Sequence, residues 1–173
     1  MTTSEIYFYK YLVTKQVFYK SKYTYALVNL KPLVRVMYWL FHYASLRFGD
    51  LSPEESLDYM KTLQLVHKFI QKTYNADSLN IAIQDGPESG QSVPHLHTHI
   101  IPRFKNDGYG DSMYTKLDVK DLDQEYRDFY KRKEVYRLQK NELAKKDEDR
   151  TERTEEVMAM EAKWLAEELE KFI

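Results

Sequence analysis

An antiparallel β-sheet with helices laid on it is the architecture this sequence predicts, and three observations predict it. Short aromatic and β-branched runs fill the amino-terminal part. A capped, amphipathic helical segment follows from Ser52. A further pair of alternating runs then ends in histidines at every second position, His95, His97 and His99.

Composition bounds what such a chain can do. With 173 residues and a hydrophobic content of 43%, it can bury a sizeable core and is expected to form one domain. Lysine and arginine total 26 against 27 acidic residues, so no global basic field exists to bind nucleic acid, and an anionic ligand must be held locally. Cysteine is absent, which removes disulfides, thiolate nucleophiles and thiolate metal ligands together. The start, Met1-Thr2-Thr3-Ser4-Glu5, lacks the order of a signal peptide, and no apolar run reaches the ~18 residues of a membrane span. A location in the cytosol or nucleus is expected.

In chain order, residues 6–13, 16–20 and 24–29 read as short strands of a small meander. Residues 34–43 are almost uninterrupted apolar and aromatic, and their types favour a strand. Ser52-Pro53-Glu54-Glu55 starts a helix: Ser52 caps, Pro53 suits the first helical position and Glu55 completes a capping box. The helix should run to about Tyr74, with Leu57, Met60, Leu63, Val66 and Ile70 as its apolar stripe and His67 beside that stripe on the surface. Residues 78–84 alternate again, and Asp85-Gly86-Pro87-Glu88-Ser89-Gly90 is loop chemistry leading into the histidine strand.

Beyond Leu117 the pattern changes. Residues 1–117 read as the core, 118–153 as a charged insert with few apolar anchors, helical or partly disordered, and 154–173 as a closing helix. Thr154 can cap that helix, and Val157, Met158, Met160, Ala162, Trp164, Leu165, Leu169 and Phe172 form its apolar side for packing on the sheet or a second subunit.

Alternation places the three histidines on one face, with Leu96, Thr98 and Ile100 on the other. Residues two apart on a strand are separated by about 6.6 Å and the outer pair by about 13 Å, whereas zinc binds nitrogens near 2.1 Å, roughly, so the three can hardly converge on one ion. No metal ligand is assigned. An extended polyphosphate matches a row of imidazoles better than a point cation does. A neutral imidazole is also a competent nucleophile toward phosphorus. The middle position favours His97 for attack, with His95 and His99 as donors or proton-transfer partners, Gln84 and Gln91 as amide donors and the backbone around Gly90 as an anion cradle.

His95-Leu96-His97-Thr98-His99-Ile100-Ile101 resembles the signature of the histidine-triad superfamily. The stretch from Gln84 through Gly90-Gln91-Ser92-Val93, with Pro102-Arg103, resembles its fragile-histidine-triad branch. The resemblance extends over Tyr25 to Pro32, Arg47 to Glu55 and the final helix. It implies an α+β fold, a five-stranded antiparallel sheet carrying a long helix and a carboxy-terminal helix, working as a homodimer. It further implies hydrolysis of diadenosine triphosphate to AMP and ADP through an adenylylated histidine, aided by a divalent cation, Mg2+ or Mn2+, that binds with the substrate phosphates. By position, His97 is the nucleophile. Asn29, Gln84, Gly90, Gln91, Ser92, Val93 and His99 match nucleotide contacts, as does Lys10 less closely, and Tyr114 falls where the family often has a tyrosine near the phosphates. A nucleoside phosphoramidase of the same superfamily and a nucleotide-binding signalling module are the alternatives.

One stretch departs from the family pattern. After Lys31-Pro32-Leu33-Val34 the family continues Pro-Gly-His-Val-Leu-Val-Val-Pro-Leu-Arg, but this chain reads Arg35-Val36-Met37-Tyr38-Trp39-Leu40-Phe41-His42-Tyr43-Ala44. Suppose the present run is encoded by the codons CGG GTC ATG TAT TGG TTG TTC CAT TAC GC. Preceded by C and read one base earlier they become CCG GGT CAT GTA TTG GTT GTT CCA TTA CGC, which encodes the family run. Met37 and Trp39 have single codons, so part of the agreement owes nothing to choosing synonyms. The stretch therefore reads as a compensated frameshift, in the sequence or in the gene. With these residues in place, Val36 stands where glycine would allow a turn, Trp39 and Phe41 overfill the strand's surroundings, and activity should be impaired.

Overall fold

The structure is a computed structural model that describes residues 4–34, 37–138 and 153–173. The chain opens with β1 (Tyr7–Phe8) and β2 (Tyr11–Leu12), a two-residue antiparallel pair. One continuous strand over 6–13 is thus replaced by a tight hairpin, because Tyr9 takes a left-handed φ of 55° and reverses the chain. That reversal turns Phe8 and Tyr11 inward, and both are buried.

Five strands form the main sheet: β3 (Val17–Lys20), β4 (Thr24–Val28), β5 (Tyr38–His42), β6 (Ser78–Ile83) and β7 (His97–Arg103), in the order β3-β4-β5-β7-β6. Every neighbouring pair is antiparallel. The strand expected over 34–43 narrows to β5. Arg35 and Val36 lie outside the described residues, and with them the expected strain at Val36.

The helix α1 (Pro53–Tyr74) follows from its cap: Ser52 Oγ accepts from the Glu55 amide and the Glu55 carboxylate from the Ser52 amide. Asn75 ends it in a left-handed conformation. Its buried side is Tyr59, Thr62, Leu63, Val66, Phe69 and Ile70, while Leu57 and Met60 of the expected stripe are exposed. The buried arc is phased by Tyr59, whose hydroxyl meets Thr98 Oγ1 at 2.7 Å and the Leu40 carbonyl at 3.2 Å, and Leu57 and Met60 fall outside that arc.

Register divides the sheet's faces. Leu40 pairs with Thr98 and Tyr38 with Ile100, and this face carries α1. It also takes the closing helix, Glu155–Phe172, whose Glu161 accepts from the Tyr38 hydroxyl and whose Phe172 packs on Phe69. Met158, Ala162, Leu165 and Leu169 are its buried residues, whereas Val157, Met160 and Trp164 are exposed.

The opposite face presents Tyr25, Leu27, Trp39, Phe41, His97 and His99. It is covered by the β1–β2 hairpin, by α2 (Ser112–Asp118) and by α3 (Leu122–Leu138), which makes the closing helix α4 in chain order. Solvated charge with few anchors does not describe the start of the insert: Lys120, Leu122 and Tyr126 are all buried. Residues 139–152 of the insert lie outside the described residues.

Candidate active site

The three histidines come together as their alternation requires, although β7 begins only at His97 and His95 sits in the approach to it. All three are buried, His97 being 1% and His99 0% exposed. Each ring's partners assign its proton. The Tyr9 amide donates to His95 Nδ1 at 3.1 Å, so His95 carries its proton on Nε2 and donates to the His42 carbonyl at 2.6 Å. His97 donates from Nδ1 to the His95 carbonyl at 2.8 Å. The Trp39 indole donates to His99 Nδ1 at 3.1 Å, leaving the His99 Nε2–H to meet Gln84 Oε1 at 3.2 Å.

This network leaves one nitrogen with a lone pair and nothing to bind. His97 Nε2 is buried with no hydrogen-bond partner among the described residues. Burial lowers the His97 pKa to about 4 and drives that of His99 well below the ordinary histidine value. The triad is therefore neutral at pH 7, and His97 offers an unprotonated ring nitrogen.

The other expected residues surround the row. Asn29 follows β4 on the same face, its Oδ1 accepting from the Lys31 amide at 2.9 Å and its Nδ2 buried without a hydrogen-bond partner among the described residues. Gly90 has a φ of 89°, and a Cβ there would strike the Gln84 amide, so glycine permits this approach twice over. Gln91 donates to the Leu46 carbonyl at 3.0 Å, Ser92 Oγ accepts from the Leu122 amide at 3.0 Å, and Val93 is buried. Two expected contacts stand apart from this cluster. Lys10 is mostly exposed and pairs with Asp123 at 3.4 Å, and Tyr114 accepts from Asn80 on β6.

Several residues of the site escape a reading based on the histidine row. Phe41 stacks on His97 with ring centres 5.6 Å apart, and Phe8 packs edge-on against His95 and His97. From α3, Tyr126 meets Phe8 edge-on and stacks on Tyr11. The segment 117–126 thus closes the site: the Leu117 carbonyl takes the Gln84 amide, the Leu122 amide takes Ser92, and Asp123 takes the Tyr11 hydroxyl. Leu122, Tyr126, Phe129 and Tyr130 recur at three- and four-residue steps, a helical stripe legible within the charged run. Nothing local marks Lys120, whose burial is a tertiary fact.

The comparisons with known proteins agree with this geometry. A profile of the HIT domain matches residues 12–106. A Saccharomyces cerevisiae bis(5'-adenosyl)-triphosphatase is 59% identical over 133 residues, covering 76% of this chain and 65% of the relative. The chain thus spans less than two thirds of that relative's length. A Schizosaccharomyces pombe bis(5'-nucleosyl)-tetraphosphatase (asymmetrical) is 38% identical over 178 residues, covering 96% of this chain and 98% of the relative. Among solved structures, a Plasmodium falciparum diadenosine triphosphate hydrolase in complex with cyclomarin A superposes with a TM-score of 0.58 at 32% identity, covering 69% of this chain and 83% of that one. With a profile match over more than half its length, a relative matched nearly end to end, and the histidine row seated on the central sheet, the chain belongs to the HIT domain family.

Proposed function

We propose that this protein hydrolyses diadenosine triphosphate and related dinucleoside polyphosphates to AMP and ADP through a covalent AMP–histidine intermediate. The observation that carries the reading is His97: its Nδ1–H is tied to the His95 carbonyl, which leaves Nε2 unprotonated and unpartnered. Nε2 attacks the α-phosphorus; a P–N bond forms, the P–O bond to the β-phosphate breaks, and ADP leaves with the electron pair. Water then adds to phosphorus and gives its proton to solvent, the P–N bond breaks with its electron pair returning to Nε2, and AMP departs with the imidazole neutral again. The His95 carbonyl holds the Nδ1 proton and stabilises the positive ring during transfer. Gln84 fixes His99 so that its Nε2–H stays a donor.

Mg2+ or Mn2+ enters the proposal as the counter-ion of the substrate phosphates. A homodimer is proposed on the same footing: β6 is an edge of the main sheet, and Ile81 in its middle is 43% exposed.

Trp39 and Phe41 fill the triad's face, which favours a second reading, a nucleotide-binding module whose turnover is incidental. Incubation with diadenosine triphosphate and with a nucleoside phosphoramidate, for intact protein and His97→Asn, separates the readings. Diadenosine triphosphate cleavage with an AMP adduct on His97, absent in H97N, is the expected result. Tight binding with negligible turnover selects the module, and turnover of phosphoramidate alone overturns the hydrolase.

A further inference from the structure

A polyanionic substrate needs positive charge near the phosphorus, and the triad does not supply it, because burial holds all three histidines neutral. The nearby basic side chains are committed elsewhere. Arg103 is held by Asp107 and Asn80, Arg47 donates to the Asp85 carbonyl, and Lys10 is paired and largely in solvent. Lys120, in the turn between α2 and α3, is different.

Its side chain is 0% exposed, and its ammonium lies 5.7 Å from the centre of the Trp39 indole, the ring that donates to His99. It donates to the Lys31 carbonyl at 2.7 Å, and the amide of that same residue is held by Asn29. Lys120 also lines the open cleft that Gly90, Gln91 and Ser92 form with residues 118–121. Three groups of nucleotide-contact residues, Asn29, His99 and Gly90 to Ser92, therefore converge around one buried ammonium. It also holds an anion: both carboxylate oxygens of Glu125 accept from it, at 2.9 and 2.8 Å.

On the hydrolase reading, we infer that Lys120 is a phosphate-binding residue of this site, and that in the substrate-free chain the Glu125 carboxylate occupies the place a substrate phosphate takes. A two-oxygen carboxylate on a buried lysine has the charge and donor demand of a phosphate edge. Exchanging one anion for another keeps the ammonium paired throughout, which a buried charge requires. The charge run around it is thus part of the binding chemistry.

The test compares equilibrium binding of AMP and of adenosine, which differ by the phosphate, and needs no turnover. Removing Lys120 alone strands Glu125, so the test variant is K120M/E125Q, which removes both charges, alongside K120R and E125Q, each checked for unchanged secondary structure. The expected result is that K120M/E125Q weakens AMP at least tenfold and leaves adenosine unchanged, that K120R retains most AMP affinity, and that E125Q tightens AMP. Unchanged AMP affinity in K120M/E125Q, or an equal loss for AMP and adenosine, overturns the inference. A chain that fails to hydrolyse diadenosine triphosphate yet shows the AMP-selective loss keeps Lys120 as a phosphate contact and removes the hydrolase reading. Turnover with no AMP-selective loss does the reverse.

Discussion

The Trp39 indole N–H donates to His99 Nδ1 at 3.1 Å, across two paired strands and out of contact with solvent. A residue in the divergent stretch thereby fixes the tautomer of a triad histidine. Trp39→Phe keeps most of the volume but removes the donor. His99 should then lose its fixed Nε2–H form, read as a change in its ring-nitrogen NMR shifts, with a stability loss of about 1 kcal/mol. Ring-nitrogen shifts identical to the parent's would mean that another group sets the tautomer.

Acid should unfold the protein through its histidines. The His97 pKa is lowered by burial from 6.5 to about 4, and His95, His99 and His42 move in the same direction for the same first cause. A depressed pKa means that the unfolded chain binds more protons, so this stability is fully present above about pH 6.5 and is lost as pH falls through about 4. For His97 the contribution is on the order of 3 kcal/mol. Denaturant melts at pH 7, 5.5 and 4.5 should show a falling midpoint, less steep in His97→Asn; a midpoint independent of pH over that range contradicts it.

Nucleotide binding is expected to loosen the segment 117–126 around Lys120, because the Leu117 carbonyl now takes Gln84, the Leu122 amide takes Ser92 and Tyr126 packs on Phe8. With saturating AMP, amide hydrogen exchange over 117–126 should rise several-fold while α1 stays protected. Unchanged or slower exchange there would show that the nucleotide enters beneath a segment that stays in place.

Replacing Arg35 through Ala44 with Pro-Gly-His-Val-Leu-Val-Val-Pro-Leu-Arg should open the triad face, since Phe41 now stacks on His97 and Trp39 on His99 edge-on. Relief of overpacking is about 1–3 kcal/mol per site. Diadenosine triphosphate turnover should rise at least tenfold. Equal rates in the two proteins would show that the bulky residues leave the site intact. Resequencing the gene settles the origin of the stretch: in-frame codons that cannot yield the family run after a one-base shift remove the frameshift reading.

Much of the fold was legible because its signals are local. The Ser52–Glu55 capping box, the period-two runs on either side of Gly86 to Gly90 and the Thr154 cap depend on near neighbours in the chain, and each stands where the residues placed it. The histidine row was legible for the same reason: alternation alone puts His97 and His99 on one face. Tertiary structure alone decided which ring nitrogen stays free. That depends on a carbonyl at His95, an indole at Trp39 and the Tyr9 amide, brought together by strand pairing and by the hairpin that folds back on the triad. It also decided that Lys120 and Tyr126 leave the charged run and enter the core, since a charged segment's periodicity says which residues share a face but not what that face meets. The sequence by itself determined the strand and its three imidazoles; the packing of distant segments determined their protonation, their burial and the cation beside them.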